Sequence, residues 1–370
     1  MVKRNILLNP GPATTTDSVK RAQVVPDICH REKEFCDLMK SVRNDLTKIA
    51  TKSPEEYACV IFAGCGTAAV ESTISSVSPP NKKILIVNNG VYGERMVNMA
   101  RVHEINYVEV KSREYEIPNI GGIEKLLKID RDISCVAMVH HETTSGMLNP
   151  MREVGKIAKA NNCTYIVDAM SSFAGLVFDT KKEGIDFVIS SSNKCIQGMP
   201  GLSFVIAKKE ELEKIKGYPR RTVYLDLYSQ YESLEDKKQM QFTVPIQTTY
   251  ALRQAINEFL EEGAEQRQAR YFKSWGTLVK GMGRLGFKKL LEDENESRIL
   301  TTFREPENAN YNFKRMHDLL YERGFTIYPG KIGADDTFRL ANLGAINHKD
   351  IKKFLGAMKD VMGKMGVELK

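Results

Sequence analysis

Short apolar runs, several of them closing on small or polar residues, alternate with stretches of helical period through the larger, N-terminal part of the chain. The runs are Ala58–Phe62, Lys83–Val87, Asn106–Val110, Cys135–Val139, Thr164–Val167, Phe187–Ser190 and Ser203–Ala207. Between them lie helical stretches such as Arg152–Asn161, which begins soon after Pro150. That alternation predicts a mostly parallel sheet between helices. From about Thr248 the texture changes. Thr249–Arg284 reads as one long helical region, with Tyr250, Leu252, Ile256 and Leu260 among many charges. A strand at Ser297–Phe303, a helix at Asn310–Arg323, strand-like Thr326–Tyr328 and Thr337–Leu340, and a last helix at Lys349–Met365 follow. The expected organisation is α/β, with a large domain over 1–260 and a smaller α+β domain over 261–370. The boundary is expected inside the long helical region.

Length agrees, since 370 residues exceed one typical domain of about 150. With 42% apolar and 27% charged residues, disorder as the main state is excluded. The net charge of +7 suits anionic small substrates and is weak as a nucleic-acid signal. No run approaches the roughly 18 apolar residues of a membrane span. Ile6-Leu7-Leu8, before Asn9-Pro10-Gly11, is too short for a signal-peptide core. The seven cysteines are odd in number and contain no C-x-x-C pair. Reduced thiols in a cytoplasmic protein are therefore expected, with neither a disulfide framework nor a structural zinc site.

The chemistry concentrates in Ile189-Ser190-Ser191-Ser192-Asn193-Lys194-Cys195-Ile196-Gln197-Gly198. A lysine just past the carboxyl end of a buried strand points toward the ligand crevice of an α/β sheet. There it can lose its proton by desolvation and attack carbonyl compounds. Asp168 stands 26 residues earlier, closing the run Thr164-Tyr165-Ile166-Val167. That interval suffices for a crossover between parallel strands, so both side chains can face one pocket. A Schiff-base lysine with an aspartate for the ring nitrogen is the protein signature of pyridoxal phosphate. The alternative, an aspartate capping a helix ahead of Ser171-Ser172, is left open by spacing alone. Gly64-Cys65-Gly66-Thr67 follows one strand and opens a helix, where backbone amides and a hydroxyl can meet a phosphate.

The order Gly-x-Gly-Thr, Asn-Gly-x-Tyr-Gly, Glu-Thr-Thr, Asp-Ala-Met-Ser-Ser and Ser-x-Asn-Lys-Cys resembles the class V aminotransferases, which are fold-type I pyridoxal phosphate enzymes. Leu8 to Thr15, Asp27 to Phe35, Tyr328-Pro329-Gly330-Lys331 and Phe338-Arg339-Leu340 add to the match, which covers nearly the whole chain. The resemblance implies a seven-stranded, mostly parallel sheet with a smaller C-terminal domain. It implies a homodimer with shared active sites, acting on small molecules and on neither nucleic acid nor membranes. Lys194 would hold the cofactor covalently and shuttle a proton, and Asp168 would pair with the ring nitrogen. Gly66 and Thr67 would hold the phosphate, Tyr92 would stack on the ring, and Thr143 would contact the ring hydroxyl region. Thr243 would reach the phosphate of the neighbouring subunit, and Arg339 would grip the substrate acid group. The implied reaction moves the amino group of 2-aminoethylphosphonate to pyruvate, with transamination of alanine or serine with glyoxylate as the alternative. The chain departs from the family at Cys65, where serine is commoner, at His30, where proline is, and at Met240-Gln241.

Other candidates carry less. His140-His141 lacks a third metal ligand at useful spacing, so a hydrogen-bonded histidine near the cofactor is expected instead of a metal site. Cys195 is expected to be a packed thiol. Arg339, between Phe338 and Leu340, should face opposite to both, and its fork suits a carboxylate or phosphonate. Tyr218-Pro219-Arg220-Arg221 is the densest basic cluster with an aromatic and is expected to be a solvated loop or subunit contact. A cysteine desulfurase needs a nucleophilic cysteine after the lysine, and none occurs beyond Cys195. A non-enzymatic nucleic-acid binder would show steep salt dependence and no chromophore.

Overall fold

The computed structural model describes residues 5–332 and 335–368; Met1–Arg4, which open the stretch read above for a leader, lie outside the described residues. All seven apolar runs are strands of one sheet: β1 Tyr57–Ala63, β2 Lys83–Asn88, β3 Tyr107–Lys111, β4 Ile133–Val139, β5 Thr164–Asp168, β6 Phe187–Ser191 and β7 Leu202–Lys208. Their spatial order is β1-β7-β6-β5-β4-β2-β3. Only β7 runs against its neighbours, β1 and β6; the remaining pairs are parallel. The reason is length. Residues 192–201 between β6 and β7 are too few for a crossover of a dozen or more, so the chain turns back on itself. That returning loop carries Lys194.

Helices α1 Lys33–Ala50, α2 Gly66–Val77, α3 Val91–Val102, α4 Ile120–Ile129 and α5 Met151–Ala160 alternate with the strands. Their packing buries the sheet on both faces; β5, β6, β7 and even the edge strand β1 are almost wholly inaccessible. This is why those strands read as near-continuous apolar runs. One large core runs from Phe35 to Phe259.

The expected single helical region is two helices, α6 Ile246–Glu262 and α7 Ala264–Arg284. Gly263, with φ of +84°, ends one and starts the other. A glycine adopts that angle without the Cβ clash that other residues meet, and apolar periodicity does not register a one-residue break. Next come β8 Leu300–Arg304, α8 Phe313–Glu322, β9 Tyr328–Ile332, β10 Asp335–Ala341 and α9 His348–Met365. The three strands form an antiparallel sheet in the order β8-β10-β9. The strand expected from Ser297 therefore starts at Leu300, and the one expected at Thr326–Tyr328 is divided. Phe325–Thr326 pairs in parallel with Ile6–Leu7 of the N-terminal arm, and Tyr328 opens β9. A second core gathers Phe303, Phe338, Phe354 and Met358 and includes Leu8. The arm is thus fixed to the C-terminal part before it crosses the sheet edge.

Candidate active site

Parallel strands deliver their carboxyl ends to one edge. β1 ends at Ala63, and Gly64-Cys65 lead into α2 at Gly66. β2 ends at Asn88, just before Gly90 and α3. β5 ends at Asp168, and Lys194 lies three residues past the end of β6. These ends surround a cavity of about 180 Å³ whose lining includes Gly66, Thr67, Tyr92, Arg95, Asp168 and Lys194. Five of the eight residues singled out from the sequence thus meet in one place. A larger hollow of about 730 Å³, lined by Phe173, Phe178 and Phe259 among others, holds none of them.

Lys194 Nζ donates a hydrogen bond of 2.6 Å to the Pro10 carbonyl of the N-terminal arm. Burial brings its ammonium down to about 8, and Arg339 and Arg95 push the same way while Asp168 opposes them. The arm passes so close that a Cβ on Gly11 would lie 2.4 Å from Nζ, at a φ of +146°. Asp168 Oδ1 accepts from the Met170 amide at 2.8 Å in a turn, and no helix follows for it to cap. Burial raises its carboxyl to about 6. Among the described residues, no cation pairs with it. A buried carboxyl facing a cavity without a cationic partner fits a protonated ring nitrogen.

α2 begins at the cavity, and Met170 lies close to its first residue: a Cβ on Gly66 would come 2.3 Å from Met170 Sδ, so the end of that side chain would have to move aside. Burial pushes the Cys65 thiol up, but hydrogen bonds from Thr67 and the α2 amides outweigh it and hold the thiol below its usual range. The half-buried Tyr92 is anchored through its backbone N–H, which donates to Glu142 Oε2 at 3.1 Å. Glu142 is fully buried, accepts also from the Thr144 amide and hydroxyl at 3.2 and 2.6 Å, and is pushed up to about 7 by desolvation.

Three predicted residues lie outside the cavity lining. Arg339 faces away from the buried Phe338 and Leu340, as expected. Its guanidinium donates to the Thr143 carbonyl at 3.1 Å and to Pro329 at 3.2 and 2.9 Å, and lies 5.0 Å from the centre of the Tyr328 ring. Thr143 is buried and joins the site through that carbonyl. Thr243 is exposed in the segment before α6. His140 Nδ1 is hydrogen-bonded to Ser172 Oγ at 2.9 Å, as anticipated for this pair. His141 differs: both its ring nitrogens are buried without partners, and burial drops it to about 3. Among the described residues, no group of three His, Cys, Asp or Glu side chains is placed to hold a metal, and no helix is long and apolar enough to cross a membrane.

The sequence reading missed Arg95 and Glu142. Arg95 had a signal, because three residues after Tyr92 on a helix puts both on one face. Glu142 had none beyond its place in Glu-Thr-Thr, since its buried contact with α3 is a product of the fold.

The family profile of class-V aminotransferases matches residues 17–345. The chain belongs to the class-V aminotransferases. Over 359 residues it is 42% identical to a 2-aminoethylphosphonate–pyruvate transaminase of Phocaeicola vulgatus, covering 96% of this chain and 98% of that relative. Its fold matches the solved ureidoglycine–glyoxylate aminotransferase of Bacillus subtilis with a TM-score of 0.91 at 21% identity, covering 100% of this chain and 96% of that one. The alanine–glyoxylate aminotransferase from Nostoc sp. matches with a TM-score of 0.90 at 25% identity, over 98% and 96% of the two chains. This is the fold-type I architecture that the resemblance implied. The cofactor of a class-V aminotransferase is pyridoxal phosphate, and the amine, the unpaired carboxyl and the helix start around this cavity fit it.

Proposed function

We propose that this class-V aminotransferase moves the amino group of 2-aminoethylphosphonate to pyruvate, giving phosphonoacetaldehyde and L-alanine in a ping-pong cycle. The observation that carries the reading is the 42% identity, along nearly the whole of both chains, to a transaminase named for those substrates. Bound pyridoxal phosphate supplies the electron sink for a carbon that loses its proton. Lys194 holds the cofactor, takes a proton from the amine-bearing carbon of the substrate, and returns it. Its lowered pKa keeps a fraction of its amine neutral near pH 7. Asp168 keeps the ring nitrogen protonated. Gly66 and Thr67 hold the phosphate, Tyr92 lies against the ring, and Thr143 meets the ring hydroxyl region. Arg339 grips the phosphonate of one substrate and the carboxylate of the other.

Thr243 completes the site from a second copy in a cytoplasmic homodimer. Its exposure outside its own chain's cavity supports this reading. Residues 1–260 carry the cofactor, and 261–370 supply Arg339. Transamination of alanine or serine with glyoxylate is the second reading, favoured by the likeness to the Nostoc alanine–glyoxylate aminotransferase. The deciding experiment incubates the purified, cofactor-loaded protein with pyruvate and 2-aminoethylphosphonate, and separately with glyoxylate and alanine or serine. Alanine formed from the phosphonate amine, well above the turnover of the glyoxylate pairs, is expected. Turnover of the glyoxylate pairs alone would sink the phosphonate assignment.

A further inference from the structure

The cradle expected to hold the cofactor phosphate, Gly66 and Thr67 at the start of α2, has no formal charge of its own. A helix N-terminus offers roughly half an elementary charge, and a phosphate monoester carries about −1.5 to −2. Of the described residues that line the cavity, only Lys194 and Arg95 are cations. Lys194 is committed to holding the cofactor at its other end.

Arg95 is placed for the charge that is missing. It lies on α3 one turn beyond Tyr92, and its guanidinium carbon sits 4.8 Å from the centre of the Tyr92 ring. Its Nη1 donates to the Thr67 hydroxyl at 3.2 Å. Among the described residues, no carboxylate lies within 4 Å of its guanidinium, although Glu94 is its chain neighbour. Its remaining donors are not taken by other groups in the described structure. We infer that Arg95 is a cofactor-binding residue, supplying the fixed positive charge for the phosphate of pyridoxal phosphate while the Tyr92 ring and Thr67 hydroxyl orient its guanidinium. A guanidinium meets a phosphate with parallel donors and never loses its charge, so it suits this position better than an ammonium. The inference rests on the cofactor reading above and adds a residue that the family motifs quoted from the sequence did not include.

The test is equilibrium binding to cofactor-free protein, read by absorbance and intrinsic fluorescence, with two probes: pyridoxal phosphate and pyridoxal, which lacks the phosphate. Wild type, Arg95→Ala and Arg95→Lys are compared, and circular dichroism confirms that each is folded. Arg95→Ala should weaken pyridoxal phosphate binding by about 10-fold or more, the scale of a hydrogen-bonded charge pair, and pyridoxal binding by less than about 3-fold. Arg95→Lys should recover part of the loss. The affinity of wild type for pyridoxal phosphate should also fall more steeply with added salt than that of Arg95→Ala. Equal losses for both probes would make Arg95 a support for Tyr92 and overturn the inference, as would no loss for either. Wild-type protein that binds neither probe would overturn the cofactor reading itself, a different pattern from either of those.

Discussion

Lys194 owes its chemistry to where the chain leaves it: past the end of a buried strand, under Pro10, with Asp168 across the cavity. Desolvation penalises its charged form, so its pKa falls from 10.5 to about 8. The folded protein prefers the neutral amine, so the stability that Lys194 contributes is present above its ordinary value of 10.5, falls away as pH drops from there toward about 8, and is fully lost below that. Competitive acetylation of cofactor-free protein, resolved by peptide mapping, should give Lys194 a labelling midpoint near pH 8, well below that of exposed lysines. A midpoint near 10.5 would place it in open solvent. Arg339 is the residue proposed to grip the substrate anion, and here it is held by the Thr143 and Pro329 carbonyls. Its loss should raise KM for 2-aminoethylphosphonate and for pyruvate together, by about 10- to 150-fold if the loss falls on binding. Arg339→Lys should recover only part, because an ammonium cannot reproduce the fork. Steady-state kinetics with each substrate varied would check this, and an effect on one substrate alone would mean two separate anion sites.

At the scale of elements, the strands were the most legible feature, and for a physical reason. A strand buried on both faces must be apolar along its length, as Val60-Ile61-Phe62 and Val188-Ile189 are. Asp168 and Lys194 were legible because polar residues that end such strands have few structural reasons to be there. The break at Gly263 was not legible, since one glycine leaves the apolar period of α6 and α7 almost unchanged. Nor was the pairing of Ile6–Leu7 with Phe325–Thr326, because short, distant strands carry no local signal. Gly263→Ala should destabilise the protein by about 1–2 kcal/mol, the cost of a Cβ at left-handed φ. Urea unfolding would measure it, and an unchanged midpoint would show that the two helices do not need that angle.

At the scale of the whole molecule, the site is assembled from segments remote in sequence. The N-terminal arm touches Lys194, α2 and α3 line the cavity beside it, and β10 sends Arg339 to the Thr143 carbonyl. Sequence order alone could list these parts, and helical spacing from Tyr92 pointed to Arg95, but nothing in it showed that Glu142 stands among them, since only folding brings α3 against the loop after β4. Thr243 extends the argument to a second copy. If it serves the partner's site, a Lys194→Ala subunit mixed with a Thr243→Ala subunit gives heterodimers with one intact site each. Random exchange should then restore about a quarter of wild-type activity, as two-fold symmetry dictates. An inactive mixture, with exchange proven by tagged subunits, would contradict the shared site.

The proposed function stands or falls on Lys194, across the cavity from Asp168, holding pyridoxal phosphate. Loading the purified protein with the cofactor, reducing it with borohydride and mapping the labelled peptide tests that claim most directly. The account predicts a yellow protein and a single cofactor-modified peptide carrying Lys194. A colourless protein that takes up no cofactor, or a label on another lysine, would contradict it.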